Sequence, residues 1–75
     1  MNYDKELDAR GMNCPLPVLK TKKSLTDMIS KQVLKIISTD AGSSKDMQAF
    51  ASQTGNLLIS SAEVNGEYVY FMQKK

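Results

Sequence analysis

Four segments of the chain have patterns of polar and apolar residues that are typical of β-strands. Alternation predicts a first strand over 3–10, and a nearly continuous apolar run predicts a second, central strand over 32–39. Two more strands are predicted over 57–64 and 67–73. Between them lies Asn65-Gly66, a strong signal for a two-residue hairpin turn. The chain therefore ends in a β-hairpin.

Two other segments carry apolar residues at helical spacing. A first helix is predicted over 15–29, with an inward stripe of Val18, Thr21, Leu25, Met28 and Ile29. A second helix is predicted over 44–54, with a stripe of Met47, Phe50, Ala51 and Thr54. Gly55 is the expected C-terminal stop, and Ser43 with Asp46 resembles a capping box at the other end.

The order β-α-β-α-β-β predicts an α+β fold in one domain spanning 1–75. We expect a two-layer sandwich, with two helices on one face of a four-stranded mixed sheet. The first two strands and the helix between them form a right-handed parallel crossover. In the first strand Leu7 and Ala9 should point inward, while the charged outer row suits an open face or a sheet edge.

The hairpin strands carry further expectations about side-chain faces. One face of the third strand is expected to hold Leu58, Ala62 and Val64. On the last strand, Tyr68 and Tyr70 alternate with Val69 and Phe71. Few basic residues surround the two tyrosines, so packing between strands is favoured over stacking on nucleic-acid bases.

The composition limits the kinds of site that the chain can form. The 75 residues are 41% hydrophobic and 24% charged, which indicates a small soluble domain near the lower size limit for independent folding. There is no histidine and only one cysteine, so an internal disulfide is excluded and a zinc site is improbable. Neither a metal nor a cofactor is expected.

Charge and hydropathy indicate the compartment and the class of partner. The formal net charge of +2 permits acidic partners but gives weak support for direct nucleic-acid binding. The first ten residues lack the apolar run of a signal peptide, and no segment is long enough for membrane insertion. We therefore expect a cytoplasmic protein, whose thiol stays reduced.

The candidate chemistry lies in the stretch RGMNCPLP, residues 10–17, between the first strand and the first helix. Proline is tolerated in the first turn of a helix, so the simplest register makes Cys14 the N-cap, Pro15 the first helical residue and Pro17 the third. The sulfur would then lie beside the amides of Cys14 and Leu16 at the positive end of the helix dipole. This predicts an exposed thiol with a lowered pKa. The alternative is that the cysteine is a small buried hydrophobe, which its polar turn disfavours.

Residues 7–18, LDARGMNCPLPV, resemble the N-terminal motif of the TusA family, also called the SirA or YedF/YeeD family. Its hallmark is Cys-Pro-x-Pro at the start of the first helix, here Cys14, Pro15, Leu16 and Pro17. Upstream, Gly11 permits a tight turn with positive φ. The resemblance covers nearly the whole chain and implies the same fold. It also implies that Cys14 carries sulfur as a persulfide.

Several residues near this motif are candidates for contacts with an anion or a partner protein: Arg10, Met12, Asn13, Lys20, Lys22 and Asp40. Arg10 either holds an anionic sulfur donor such as thiosulfate or is an exposed charge on the strand. The lysines either form a docking surface for an acidic partner or a solvated helix face. Asp40 is either a simple turn residue or closes its loop near Cys14, because loops that follow neighbouring parallel strands open on the same side. A carboxylate close to the thiol would raise its pKa, so Asp40 is not assigned as a catalytic base.

Three functions remain open. The first is a sulfur-relay carrier, or sulfurtransferase, that receives sulfur from a cysteine desulfurase or another sulfane-sulfur donor. It would pass the sulfur to an acceptor protein, as in tRNA 2-thiouridine synthesis. The second is a companion of a thiosulfate-uptake transporter in the membrane, which would use the same cysteine. The third is a non-enzymatic RNA-binding or regulatory module, which would work without Cys14.

Overall fold

The computed structural model describes residues 2–75 and has the predicted order of elements. The strands are Lys5–Ala9 (β1), Val33–Ser38 (β2), Leu57–Val64 (β3) and Glu67–Gln73 (β4), and the helices are Leu16–Thr26 (α1) and Ser43–Thr54 (α2). The predicted bounds of both hairpin strands are confirmed, whereas β1, β2 and α1 are shorter than predicted. None of the helices within 2–75 is long and apolar enough to cross a membrane.

The four strands form one mixed sheet in the order β1-β2-β4-β3. β1 pairs in parallel with β2, with Leu7 opposite Ile36, and the other two pairings are antiparallel. The interior position predicted for β2 and the edge position suited to β1 are therefore confirmed. α1 packs on β1 and β2, α2 packs on β3 and β4, and the helices contact each other. The predicted α+β sandwich is confirmed.

The core lies between the sheet and the two helices. It consists of Ala9, Leu25, Met28, Leu34, Ile36, Met47, Phe50, Ala51, Tyr70 and Met72. Leu7, Val18 and Tyr68 pack at its margin. The inward orientation predicted for Leu7 and Ala9, and the packing role predicted for Tyr68 and Tyr70, are therefore confirmed.

Two residues of the predicted helical stripes are not inward. Ile29 is 69% exposed because α1 ends at Thr26, where the amide of Asp27 donates to the carbonyl of Ser24 and closes the last turn. Thr54 is also exposed, and its hydroxyl donates to the carbonyl of Phe50.

The predicted common face of Leu58, Ala62 and Val64 is wrong. Leu58 lies opposite Met72 and faces the helices, but the register shifts between Leu58 and Ser60. This β-bulge adds one residue to β3 and reverses the side-chain alternation beyond it. As a result Val64 is 52% exposed.

Turn and cap predictions had mixed outcomes. Asn65 and Gly66 both have positive φ, 52° and 80°, as a tight two-residue hairpin requires. Gly55 ends α2 with φ of 81°, as predicted. The capping box is wrong because Gly42 is the N-cap and Ser43 lies inside the helix. The Ser43 hydroxyl bonds instead to the Asp40 carbonyl (2.7 Å) and the Tyr70 hydroxyl (2.6 Å).

Candidate functional site

Cys14 lies in the loop between β1 and α1, and its side chain is exposed, as predicted. The N-cap of α1 is Pro15, and Leu16 and Pro17 are the first two helical residues. The helix therefore begins one residue later than the predicted register, and Cys14 precedes the cap. The bond between Cys14 and Pro15 is cis. Gly11 has a φ of 79°, which confirms the expected tight turn.

Neither of the backbone amides expected beside the sulfur is free to stabilise a thiolate. The amide of Leu16 donates to the carbonyl of Asn13 at 2.9 Å. The amide of Cys14 donates to Asp40 Oδ2, also at 2.9 Å. The predicted helix-terminal stabilisation of the thiolate is therefore wrong.

The carboxylates around Cys14 reverse the expected change in its acidity. A hydrogen bond to Asp46 raises the pKa of the Cys14 thiol above its ordinary value. Partial desolvation and the negative charges of Asp46 and Asp40 act in the same direction. The prediction of a lowered pKa is therefore wrong, and the free protein holds Cys14 mainly as a thiol at neutral pH.

The sulfur opens into a shallow hollow between the two helices, with a volume of about 210 Å³. Besides Cys14, its walls are formed by Pro15, Val18, Asp46, Ala49, Phe50 and Gln53. Most of this surface is apolar, and Asp46 is its one carboxylate. A partner group can thus reach the sulfur from solvent while lying against hydrocarbon.

Asp40 ties the neighbouring loop to Cys14, as the parallel-strand argument predicted. Its Oδ2 accepts from the Cys14 amide, and its Oδ1 accepts from the Gly42 amide at 3.1 Å. Its carbonyl accepts from Ser43, which is buried against Tyr70. A continuous hydrogen-bonded chain therefore joins the core to the backbone of the cysteine.

Arg10 is engaged by carboxylates. Its guanidinium binds Asp8 at 2.9 Å and 3.1 Å and lies 3.5 Å from Glu67. Hydrogen bonding to Arg10 lowers the pKa of Asp8, and Asp8 in turn raises the pKa of the arginine. Arg10 is not part of the wall of the hollow around Cys14.

The other candidate contact residues are spread over the surface. Met12 is half-buried against the core, and the Asn13 carbonyl closes the turn before α1. Lys20 and Lys22 are exposed on α1. Lys22 lines a second groove, at the opposite end of the helices, with Lys74 and Lys75. The structure therefore brings Cys14 together with Asp40, and not with the candidate cations.

Asp46 is the site residue that the sequence did not identify. The sequence pattern predicts a cap residue at this position, but Asp46 lies in the first turn of α2 and faces the thiol. The signal was its position at the start of the helix that follows β2, since the first turns after adjacent parallel strands lie at one edge of the sheet. Within residues 2–75, no group of three or more Cys, Asp or Glu side chains could hold a metal ion.

Comparison with known proteins agrees with this fold and motif. The family model described as "Sulfurtransferase TusA" matches residues 5–74. The chain is 53% identical to the sulfur carrier protein TusA of Allochromatium vinosum, over 97% of this chain and 96% of that protein. It is 37% identical to the sulfur carrier protein TusA of Pseudomonas entomophila, over 97% and 91% of the two chains.

A solved structure has the same fold. The crystal structure of a SirA-like protein from Desulfitobacterium hafniense superposes with a TM-score of 0.83, covering 93% of this chain and 96% of that one. Their sequence identity is 24%, so this similarity concerns the fold alone. The resemblance inferred from the Cys-Pro-x-Pro motif is confirmed by the family model and the relatives, and the chain belongs to the TusA family.

Proposed function

We propose that this protein is a sulfur carrier of the sulfurtransferase type, which holds sulfane sulfur as a persulfide on Cys14. The observation that carries the proposal is the placement of the only thiol. It is exposed, lies in an open and largely apolar hollow, and belongs to the Cys-Pro-x-Pro motif of a TusA-family chain. No second cysteine is present to resolve a persulfide into an internal disulfide.

Loading is a thiol-persulfide exchange. The Cys14 thiolate attacks the terminal sulfur of a donor persulfide, a new S–S bond forms at Cys14, and the donor's own S–S bond breaks. The donor cysteine leaves as a thiolate, and the proton from Cys14 balances that charge. In unloading, an acceptor nucleophile attacks the outer sulfur and Cys14 becomes the leaving thiolate. Sulfur moves at constant oxidation state, so the cycle needs neither an oxidant nor a reductant.

The motif residues support the sulfur by fixing its backbone. The positive φ of Gly11 turns the chain after β1, and its amide donates to the Thr39 hydroxyl at 2.9 Å. Pro17 is buried in the first turn of α1, whereas Pro15 lies in the wall of the hollow. Leu16 is exposed beside them, where a partner protein can contact it.

A carrier of this kind needs two kinds of protein partner. We propose a cysteine desulfurase, or another sulfane-sulfur donor, for loading, and a downstream sulfur-acceptor protein for unloading. The relay would serve tRNA 2-thiouridine synthesis in the cytoplasm. The carrier would not bind tRNA directly, and exposed groups such as Lys20 and Lys22 would contact the proteins.

Intact-mass measurement after loading tests this function. The purified protein is incubated with a cysteine desulfurase and cysteine, and then divided into samples with and without reductant. We expect a gain of one sulfur atom, which the reductant removes because a persulfide is reducible. The matched control is Cys14→Ser, which keeps size and polarity and should gain nothing.

If the desulfurase gives no gain, a polysulfide solution replaces it as a chemical donor. A protein that stays unmodified with both donors, or a Cys14→Ser variant that gains sulfur equally, would overturn the proposal.

A further inference from the structure

The charges that face Cys14 are all negative. Asp46, from α2, lies in the wall of the same hollow as the thiol, and Asp40, from the loop after β2, binds the Cys14 amide. Along its own loop the nearest cation is Arg10, which is already bound to Asp8 and Glu67. No lysine or arginine is part of the wall of the hollow. Two carboxylates, and no cation in the wall of the hollow, therefore lie close to the reactive sulfur.

Negative charge is also concentrated at the thiol end of the whole molecule, and positive charge at the opposite end. The thiol end, which consists of the ends of β1, β2 and β3 and the starts of α2 and β4, carries Asp8, Arg10, Asp40, Lys45, Asp46, Glu63 and Glu67. The opposite end has a lysine-rich groove that includes Lys22, Lys74 and Lys75. Such a separation of charge attracts a positive surface to the thiol end and orients the approach.

We propose that Asp46 controls the reactivity of Cys14: it retains the thiol proton in the free carrier, and a cationic side chain of a docked sulfur donor or acceptor pairs with it. This inference rests on the proposed carrier function and names the chemistry of the partner. Asp46 is a positioning residue in this scheme, since it acts through the thiol and does not touch the sulfur atom that is transferred.

The consequence is a thiol that reacts mainly in the correct complex. A cation against Asp46 offsets the negative charge that opposes the thiolate, so the proton leaves Cys14 for water or the partner. Sulfur transfer then proceeds as an ordinary exchange. In the free carrier, the same carboxylate slows the attack of Cys14 on disulfides other than those of its partners, because only the thiolate is nucleophilic.

Small disulfides of different charge test the required partner chemistry. Cystamine carries two ammonium groups, 3,3′-dithiodipropionate carries two carboxylates, and bis(2-hydroxyethyl) disulfide is neutral. Each forms a mixed disulfide with Cys14 and releases one thiol, which can be followed by mass. Rates are divided by those of N-acetylcysteinamide, a neutral reference thiol, to remove differences in leaving group.

We expect the normalised preference for cystamine over the dicarboxylate to be about 25-fold, because one unit charge at close range alters a rate about fivefold in water and the two disulfides carry opposite charges. The preference should decrease as salt is added. A normalised preference near one would overturn the proposal.

Variants at position 46 identify the responsible group. Asp46→Asn keeps the shape but removes the charge, so the cystamine preference should decrease and alkylation by iodoacetamide at pH 7 should accelerate about fivefold. Asp46→Glu should retain both wild-type properties. Glu63→Gln is the matched control, since it removes one charge from the same end without facing the hollow. If Asp46→Asn and Glu63→Gln have the same alkylation profile from pH 6 to 10, Asp46 does not control the thiol.

Sulfur loading separates this inference from the proposed function. Thermal melts first establish that each variant is folded at the assay temperature, and Asp46→Glu preserves the test if Asp46→Asn is not. A wild-type protein that forms the persulfide but shows no charge preference refutes only the role of Asp46. A wild-type protein that forms no persulfide refutes the carrier function itself, while the disulfide rates still report on Asp46.

Discussion

Replacing Asp40 by alanine should separate the loop after β2 from the cysteine loop. The Asp40 carboxylate accepts from two backbone amides, Cys14 at 2.9 Å and Gly42 at 3.1 Å. Asp40→Ala loses both bonds, so the turn at residues 41–43 is no longer held by the bond from the Gly42 amide to the side chain of residue 40. The carbonyl bond to Ser43 remains, because it is made by the backbone.

The size of the effect follows from these two bonds. A hydrogen bond contributes a net of about 0.5–1.5 kcal/mol to stability, or more when it is made to a charged group. The Asp40 carboxylate is half-buried and still reached by water, so we assign about 1 kcal/mol to each of its two bonds. The expected loss is therefore about 2 kcal/mol in the free energy of unfolding. For a domain of this length, that corresponds to a decrease of about 8–16 °C in the melting temperature.

Urea denaturation followed by circular dichroism measures the loss. Asp40→Asn should fall about halfway, since an amide oxygen can accept from only one of the two N–H groups without placing its own donor against the other. Asp27→Ala is the matched control: it removes an exposed carboxylate at the other end of α1 and should change stability by less than about 0.5 kcal/mol. If Asp40→Ala is as stable as Asp27→Ala, the carboxylate does not hold the two loops together.

Three further substitutions test the fold. Ile36→Ala should cost about 3 kcal/mol in urea unfolding because it opens a cavity in the core, whereas the exposed Ile29→Ala should change stability by less than about 0.5 kcal/mol, and equal effects would contradict the assigned end of α1. Tyr70→Phe should cost about 1 kcal/mol at pH 7, because the buried hydrogen bond between the Tyr70 and Ser43 hydroxyls is lost. Burial raises the pKa of Tyr70 above its ordinary value of 10. The residue therefore contributes fully to the stability of the folded state below pH 10, and this contribution is lost as the pH rises further. The free energy of unfolding of Tyr70→Phe should lack this part of the decrease at alkaline pH. Gly11→Ala should cost about 1–2 kcal/mol in thermal melts from its positive φ alone, since, apart from its own chain neighbours, none of residues 2–75 has an atom within 4 Å of the added methyl group. A neutral effect would refute the strain.

The parts of the fold that were predicted correctly are those that local chemistry determines. Asn65-Gly66 defined the hairpin and both its strands, because few residues other than Asn and Gly accept positive φ at adjacent positions. Gly55 marked the end of α2 for the same reason. Periodicity identified most of the buried face of each helix, and the parallel crossover between β1 and β2 followed from the β-α-β order.

The errors occurred where tertiary contacts compete with a local preference. Ser43 could have capped α2, but its hydroxyl is used by Tyr70, which is distant in sequence. The bulge after Leu58 reversed the faces of β3, and nothing local such as a glycine marked it.

The candidate site was predicted in location but not in electrostatics. Cys14 and Asp40 were expected to lie together because their strands are parallel neighbours. A lowered thiol pKa was expected from the helix end alone, but the helix begins one residue later and Asp46 reaches the sulfur from α2. The acidity of a thiol is determined by all the charges that surround it, and sequence spacing does not give those distances.

The central claim is that Cys14 both accepts and releases sulfur, and an isotope chase tests both halves. The carrier is loaded by a cysteine desulfurase with cysteine that contains heavy-isotope sulfur, separated from the desulfurase, and treated with cyanide, which takes the outer sulfur of a persulfide as thiocyanate. We predict one heavy sulfur per protein on the Cys14 peptide, followed by an equal amount of heavy thiocyanate and full recovery of the free thiol. Heavy thiocyanate released equally from Cys14→Ser, or label that remains on the wild-type protein after cyanide, would contradict the account.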